Sequence, residues 1–102
     1  MIEIIDNDLS VCEGEECYLL FYFTAKWCGP CQRIKPLLKK ISDGADASKL
    51  KVYMIDIDEN DEIAKEFQIN LFTLPNLCRS RHQYLFHKPS QVLLVEFLLP
   101  YL

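Results

Sequence analysis

The chain has 102 residues, half hydrophobic and a quarter charged, a composition that excludes a disordered segment. Its formal net charge of −4 argues against nucleic-acid binding driven by overall positive charge. No apolar run approaches the ~20 residues of a membrane span, and the first six residues lack the basic and apolar regions of a secretory signal. We therefore expect one domain over 1–102, located in the cytoplasm, with neither nucleic acid nor membrane as its partner.

The charged residues are unevenly distributed along the chain. Residues 1–25 carry six acidic side chains and no Lys or Arg, whereas residues 26–51 carry seven basic and two acidic side chains. Two interpretations stay open: solvated faces of opposite charge, or a basic patch around a functional site in residues 26–51.

The first half of the chain alternates strand and helix patterns. Residues 2–5 predict a short strand, and residues 6–17 predict a short helix or turn that Asp6 or Asp8 caps. Residues 18–24 are almost continuously apolar and aromatic, which predicts a central strand buried on both faces. A helix follows Cys31, with a kink at Pro36 and an end at Gly44. A second buried strand is predicted over 51–57 and a short helix over 60–68.

The second half predicts a loop over 69–75, which ends in Leu74-Pro75. Two short strands then follow near 76–79 and 83–87, and a last helix spans 90–99 with Ser90 as its cap. This order predicts an α/β domain whose parallel core carries helices on both faces, with a final hairpin that makes the sheet mixed.

The segment Trp27-Cys28-Gly29-Pro30-Cys31 joins the central strand to the next helix. Two intervening residues at a helix start bring the two sulfurs within bonding range. The helix N-terminus favours the thiolate of the first cysteine, and a thiolate is the species that attacks a disulfide. The second cysteine lies one turn further in and can resolve a mixed disulfide. Trp27 offers an apolar surface, Gly29 allows close approach of a substrate chain, and Pro30 stiffens the turn.

A zinc or iron–sulfur site is the structural alternative for a pair of cysteines at this spacing. Structural zinc takes four ligands, usually from two such pairs. The other close pair, Cys12 and Cys17, has four intervening residues and precedes the central strand. We therefore expect no metal and no cofactor.

This five-residue motif after a hydrophobic strand resembles the active site of the thioredoxin family, and the similarity extends over nearly the whole chain. Pro36 matches the kinking proline of that family, Leu74-Pro75 matches its cis-proline dipeptide, and 90–102 resembles its final helix. The resemblance implies a thioredoxin fold, a central mixed sheet flanked by helices on both faces. It also implies dithiol–disulfide exchange, with Cys28 as the nucleophile, Cys31 as the resolving thiol and a redox disulfide between them.

The sequence departs from the family pattern at two buried positions. The family usually has an aspartate six residues before the first cysteine, where this chain has Tyr22, and a lysine on the next strand where it has Met54. Replacing both members of a buried charged pair can be neutral for stability. The resemblance nevertheless implies slower resolution by Cys31, because the aspartate helps to move its proton.

The resemblance places four residues in a substrate groove: Leu74, Pro75, Phe86 and His87. The loop before Pro75 is about two residues longer than is usual in the family, and the following hairpin is about four residues shorter. His87 stands where the family has a glycine. There it would add positive charge near Cys28, or else it points to solvent at a strand end.

The three remaining cysteines and the last helix suggest no further chemistry. Cys78 is expected in a strand as a buried, inert thiol. Cys12 and Cys17 flank three glutamates and should react poorly, with a Cys12–Cys17 disulfide as an alternative in an oxidising setting. The apolar 90–99 helix either packs under the chain end or provides a surface for a homodimer or another partner.

The sequence thus predicts a disulfide reductase that acts on protein clients in electron transport and cell redox homeostasis, with a thioredoxin-reductase-like electron donor. Three alternatives remain. In the first, the same chemistry runs in the opposite direction or as isomerisation, so that the chain is an oxidase or isomerase. In the second, the chain has glutaredoxin-like activity although it lacks that family's late glycine pair. In the third, it is a binding module that uses its groove and last helix.

Overall fold

The fold is a five-stranded mixed sheet with helices. A computed structural model describes residues 1–12, 14–87 and 92–96, and at 87 and 92–96 it describes the backbone alone. The bounds of its elements follow in chain order: β1 (Ile2–Glu3), a 3₁₀ turn (Ser10–Cys12), β2 (Tyr18–Thr24), α1 (Gly29–Gly44), β3 (Leu50–Asp56), α2 (Asp61–Glu66), α3 (Leu74–Arg79), β4 (His82–His87) and β5 (Val92–Glu96).

The strands lie in the order β1-β3-β2-β4-β5. The first three are parallel, β4 pairs antiparallel with β2, and β5 pairs antiparallel with β4. This confirms the expected α/β architecture, a mixed sheet with a parallel core. The antiparallel pair at its end is β4 with β5, not the predicted hairpin of 76–79 with 83–87. No helix of the described residues is long and apolar enough to cross a membrane.

The central strand β2 has the predicted bounds and, from Leu20 onward, is buried on both faces. On one face, the side chain of Tyr22 reaches α1. On the other, Phe21 and Phe23 pack in an aromatic cluster with Phe67, at the end of α2, and with residues of β3 and β4. The sheet therefore has helical structure on both faces, which explains why an alternating polar pattern is absent from β2.

Two of the predicted turn and helix features are confirmed at their expected residues. Asp8 accepts a hydrogen bond from the backbone N–H of Ser10 at 2.9 Å, and this begins the 3₁₀ turn. Helix α1 ends at Gly44 and continues through the exposed Pro36. The proline therefore lies inside the helix, as predicted, without ending it.

The strand predicted near 76–79 is wrong, because these residues belong to α3. Leu74, Leu77 and Cys78 have the spacing of one helical face, and both Leu74 and Cys78 are fully buried. Helix α3 packs against α1 and β4. Burial against two neighbouring elements therefore stabilises a helix that is too short to be stable alone.

The last helix predicted over 90–99 is also wrong where the structure describes it. Val92–Glu96 is strand β5, which pairs with β4 from Val92 opposite Phe86 to Glu96 opposite His82. The helical spacing used to propose a partner surface therefore does not apply to these residues. The remainder of the predicted helix, including its cap Ser90, lies outside the described residues.

Candidate active site

A disulfide joins Cys28 and Cys31 where β2 passes into α1, with 5.3 Å between their Cα atoms. Cys28 is the N-cap of α1, in extended backbone conformation, and its Sγ accepts a hydrogen bond from the backbone N–H of Cys31 at 3.3 Å. Pro30 occupies the second helical position, where its missing N–H costs no hydrogen bond. The sulfur of Cys28 therefore lies at the positive pole of a 16-residue helix, which favours a thiolate when the disulfide is reduced.

Both cysteines are covered: Cys28 is 1% exposed and Cys31 is fully buried. The neighbouring Trp27 is 47% exposed, and its indole Nε1–H donates to Oδ2 of Asp58 at 2.8 Å. Gly29 is exposed, and a Cβ at this position would meet only the flexible end of Arg33 at 3.4 Å. Trp27 and Gly29 therefore form the exposed surface beside the disulfide.

Tyr22 lies directly behind the disulfide. In the β2–β3 register it stands opposite Met54. The two positions at which the sequence departs from the family pattern are therefore neighbours in the sheet. The Tyr22 hydroxyl donates to the carbonyl oxygen of Cys31 at 2.6 Å and lies 3.2 Å from Oγ1 of Thr24. Burial raises the pKa of Tyr22 to about 12, so its phenol stays protonated and acts as a hydrogen-bond donor.

The sequence reasoning missed the third cysteine at this site, because it placed Cys78 in a strand. From α3, the sulfur of Cys78 lies within 4.8 Å of the sulfurs of both Cys28 and Cys31. The residue is fully buried, and its thiol donates to the carbonyl oxygen of Phe23 over 3.7 Å. Burial raises the pKa of Cys78 to about 12. The signal that could have placed it is the helical spacing of Leu74, Leu77 and Cys78.

The cis-proline expectation is wrong, since no cis peptide bond occurs in the described part of the chain. Pro75 is in the first turn of α3, a position that suits a trans proline. Leu74 is fully buried. It therefore belongs to the core rather than to the surface of a substrate groove.

The structure places Phe86 and His87, the other two residues predicted in the groove, on β4 away from the disulfide. In the antiparallel β2–β4 register, His87 stands opposite Tyr18, at the end of β2 remote from Cys28. The six residue-to-residue steps from Tyr18 to Thr24 span about 20 Å of strand. Phe86 is half-buried and packs on Phe21, with 4.6 Å between ring centroids. The β4 residue Gln83 instead lies beside the third sulfur, with its Nε2 4.0 Å from Sγ of Cys78.

Cys12 and Cys17 are free thiols away from this site. The pKa of Cys12 is raised chiefly by burial and only secondarily by Glu15. The low reactivity expected of this thiol therefore depends on burial more than on the neighbouring glutamates. Glu15 forms an ion pair with Lys51 at 2.6 Å, which draws its carboxylate toward β3.

Comparison with known proteins supports one family. The family model described as Thioredoxin matches residues 7–84, more than half of the chain. The chain is 34% identical over 73 residues to a mitochondrial thioredoxin O of Oryza sativa subsp. japonica, covering 72% of this chain and 41% of the relative. It is 41% identical over 51 residues to a bifunctional thioredoxin reductase/thioredoxin of Mycobacterium leprae, covering 50% of this chain and 11% of the relative. The chain thus spans less than two thirds of either relative's length.

Solved structures of thioredoxins have a similar fold. A crystal structure of thioredoxin from Malassezia sympodialis superimposes with a TM-score of 0.70 and 29% sequence identity. The superposition covers 91% of this chain and 77% of the other.

Proposed function

Because the chain belongs to the thioredoxin family, we propose that it is a thiol–disulfide oxidoreductase that reduces protein disulfides through Cys28 and Cys31. The observation that carries this proposal is the Cys28–Cys31 disulfide at the N-terminus of α1. It is the oxidised product of such a reaction, and the helix supplies the electrostatics that the reduced form needs to begin it.

In the first step, the Cys28 thiolate attacks one sulfur of a client disulfide. The new bond is a mixed disulfide between Cys28 and the client, and the other client sulfur leaves as a thiolate that takes up a proton. Cys28 serves as the nucleophile because it caps α1, where partial positive charge lowers the free energy of the thiolate relative to the thiol.

In the second step, Cys31 attacks the sulfur of Cys28 and releases the second client thiol. Two electrons have then passed from the pair to the client, and the Cys28–Cys31 disulfide is restored. Tyr22 is unsuited to accept the Cys31 proton, because its pKa of about 12 leaves no basic phenolate near neutral pH. We assign Tyr22 a positioning role instead: its hydroxyl fixes the carbonyl of Cys31, and the proton passes to water or to the departing thiolate.

Clients approach over the exposed surface of Trp27 and Gly29. Since Cys28 is only 1% exposed in the oxidised form, exchange requires that its sulfur become accessible locally. This requirement favours extended segments of client proteins, which can fit closely against Gly29.

A thioredoxin-reductase-like electron donor would restore the dithiol. The similarity to a protein named as a bifunctional thioredoxin reductase/thioredoxin supports this partner. We place the cycle in the cytoplasm, where thiols are kept reduced.

The test is reduction of an insulin-like client disulfide, driven by a dithiol or by a thioredoxin reductase with NADPH. Cys28→Ser should abolish turnover, and Cys31→Ser should accumulate the mixed disulfide with the client, detectable by mass spectrometry. Cys12→Ser is the matched control, because it removes a half-buried thiol away from the site. Activity retained in Cys28→Ser would refute the proposal.

The reduction potential of the pair decides the direction of exchange. A value near −270 mV, typical of thioredoxin, would support a reductant, whereas a value well above −200 mV would favour an oxidase or isomerase. The potential is obtained by titrating the pair against a defined thiol–disulfide buffer.

A further inference from the structure

A third sulfur stands behind the Cys28–Cys31 pair, and the exchange reaction does not use it. The three Sγ atoms of Cys28, Cys31 and Cys78 all lie within 4.8 Å of one another. Each residue is at most 1% exposed. Two of the sulfurs come from the first turn of α1 and one from α3, two elements that pack against each other. The sulfurs therefore converge on one point inside the protein.

Reduction of the disulfide turns this cluster into three thiols around that point. An ion with sulfur bonds of about 2.3 Å places three coplanar sulfurs about 4.0 Å apart. The sulfurs of Cys28 and Cys31 are bonded in the oxidised protein and would move apart to this separation after reduction, while the sulfur of Cys78 already lies within 4.8 Å of both.

We propose that the reduced protein binds one Cu(I) ion through the sulfurs of Cys28, Cys31 and Cys78. A dithiol reductant first supplies two electrons and two protons to open the disulfide. Cu(I) then coordinates the three sulfurs, and each thiol that becomes a thiolate releases its proton to solvent. Copper keeps its oxidation state throughout.

The composition of the site selects a soft ion with a low coordination number. Thiolates favour Cu(I), zinc and iron–sulfur clusters over hard ions such as magnesium and calcium. Structural zinc takes four ligands, and no fourth histidine, cysteine or carboxylate joins the cluster in residues 1–12 and 14–86. The burial of all three sulfurs also disfavours a water as the fourth ligand. Three-coordinate Cu(I) is the ion that these constraints fit.

The surroundings of the site offset part of the negative charge that thiolates bring into the interior. The N-terminus of α1 faces the sulfur of Cys28, through the N–H of Cys31. On the other side, Nε2 of the buried Gln83 points at the sulfur of Cys78 at 4.0 Å, while its Oε1 accepts from the backbone N–H of Phe23. Gln83 is thereby held with its donor toward the cluster.

The test titrates Cu(I) into the reduced 102-residue chain in competition with a chromophoric Cu(I) chelator, and counts sulfur ligands by X-ray absorption. We expect one Cu(I) per chain with three sulfur neighbours, and no binding to the oxidised protein. Cys78→Ser and Cys78→Ala should leave two sulfur neighbours and weaken binding at least tenfold. Removing a group that only supports a metal ligand already weakens metal binding about 10–100-fold, and removing a ligand itself should cost no less. Cys12→Ser and Cys17→Ser are the matched controls and should bind as the unmodified chain does.

Two sulfur neighbours in the unmodified chain would overturn the proposal, whether or not the Cys78 variants fold. Equal affinity in folded Cys78→Ser, or a loss of affinity in Cys12→Ser, would also overturn it. Zinc titrated alone provides a further comparison, and preferential zinc binding with a fourth ligand would rule out the three-coordinate copper site. The proposal does not depend on client reduction, so the insulin assay can fail while the copper site stands.

Discussion

The hydroxyl of Tyr22 donates a hydrogen bond to the carbonyl oxygen of Cys31 over 2.6 Å, which ties the central strand to the first turn of α1. Tyr22 is fully buried, and the Thr24 hydroxyl that it contacts lies 3.4 Å from the side-chain amide of Gln32. Gln32 in turn donates to the carbonyl oxygen of Ala25 at 2.8 Å. A polar network thus replaces the buried charged pair that the family usually has here.

Tyr22→Phe should destabilise the protein without disrupting the fold. The ring remains packed, but the buried Cys31 carbonyl and the Thr24 hydroxyl each lose a partner, at a cost of about 1–3 kcal/mol. Urea unfolding of the oxidised protein measures this loss. A stability equal to that of the unmodified chain would show that the hydroxyl contributes nothing to holding the helix.

Tyr22 should also make the protein less stable at alkaline pH. Its unfolded pKa is 10.0 and its folded pKa is about 12, so the folded chain binds more protons between these values. The contribution is therefore fully present below pH 10 and is lost as the pH rises toward 12, by at most about 2–3 kcal/mol. Unfolding free energies at several alkaline pH values should decline less steeply in Tyr22→Phe. Parallel profiles for the two proteins would count against the raised pKa.

Asp58→Ala should free the indole of Trp27. The lost hydrogen bond lies at the surface, so we expect a stability change below about 1 kcal/mol but a more mobile ring. Trp27 is the one tryptophan in the sequence, and its fluorescence anisotropy reports this motion directly. Glu59→Ala is the matched control, since it removes an adjacent exposed carboxylate. An equal fall of anisotropy in both variants would contradict the assignment.

Asn60→Ala should lower the free energy of unfolding by more than the small number of atoms removed suggests. The buried Asn60 amide donates to the carbonyl oxygens of Ile4 and Asp56, each at 3.0 Å, and its Oδ1 accepts from the backbone N–H of Asn7. Truncation leaves buried backbone groups without these partners, and we expect a loss of at least about 2 kcal/mol in urea unfolding. Lys65→Ala, an exposed change on α2, should stay within about 0.5 kcal/mol.

His87→Ala should leave the rate of disulfide exchange within twofold of the unmodified rate. The register puts its backbone at the end of β2 remote from Cys28. Trp27→Ala, by contrast, removes the exposed apolar surface beside the nucleophile, and a loss of about 1 kcal/mol of client contact slows exchange about fivefold. Initial rates of insulin reduction compare the two variants. A large effect of His87→Ala would contradict this register and favour a position of His87 beside Cys28.

Local pattern by itself determined the parts of the protein whose structure depends on neighbours in sequence. The apolar run over 18–24 predicted β2, and the helical spacing after Cys31 predicted α1. The cysteine pair was therefore expected where β2 passes into the start of α1. The bounds of β2 were predicted to the residue because a strand buried on both faces carries an unbroken apolar run.

Only the tertiary structure decided what depends on contacts between distant segments. Short apolar segments fit a strand or a helix equally well, and packing against α1 and β4 selected the helix at Leu74–Arg79. Pairing with β4 selected the strand at Val92–Glu96. The antiparallel register carried His87 away from Cys28, and the helix brought Cys78 to it. The physical reason is that the free energy of these arrangements comes from burial and pairing across the fold, which the order of residues along the chain does not display.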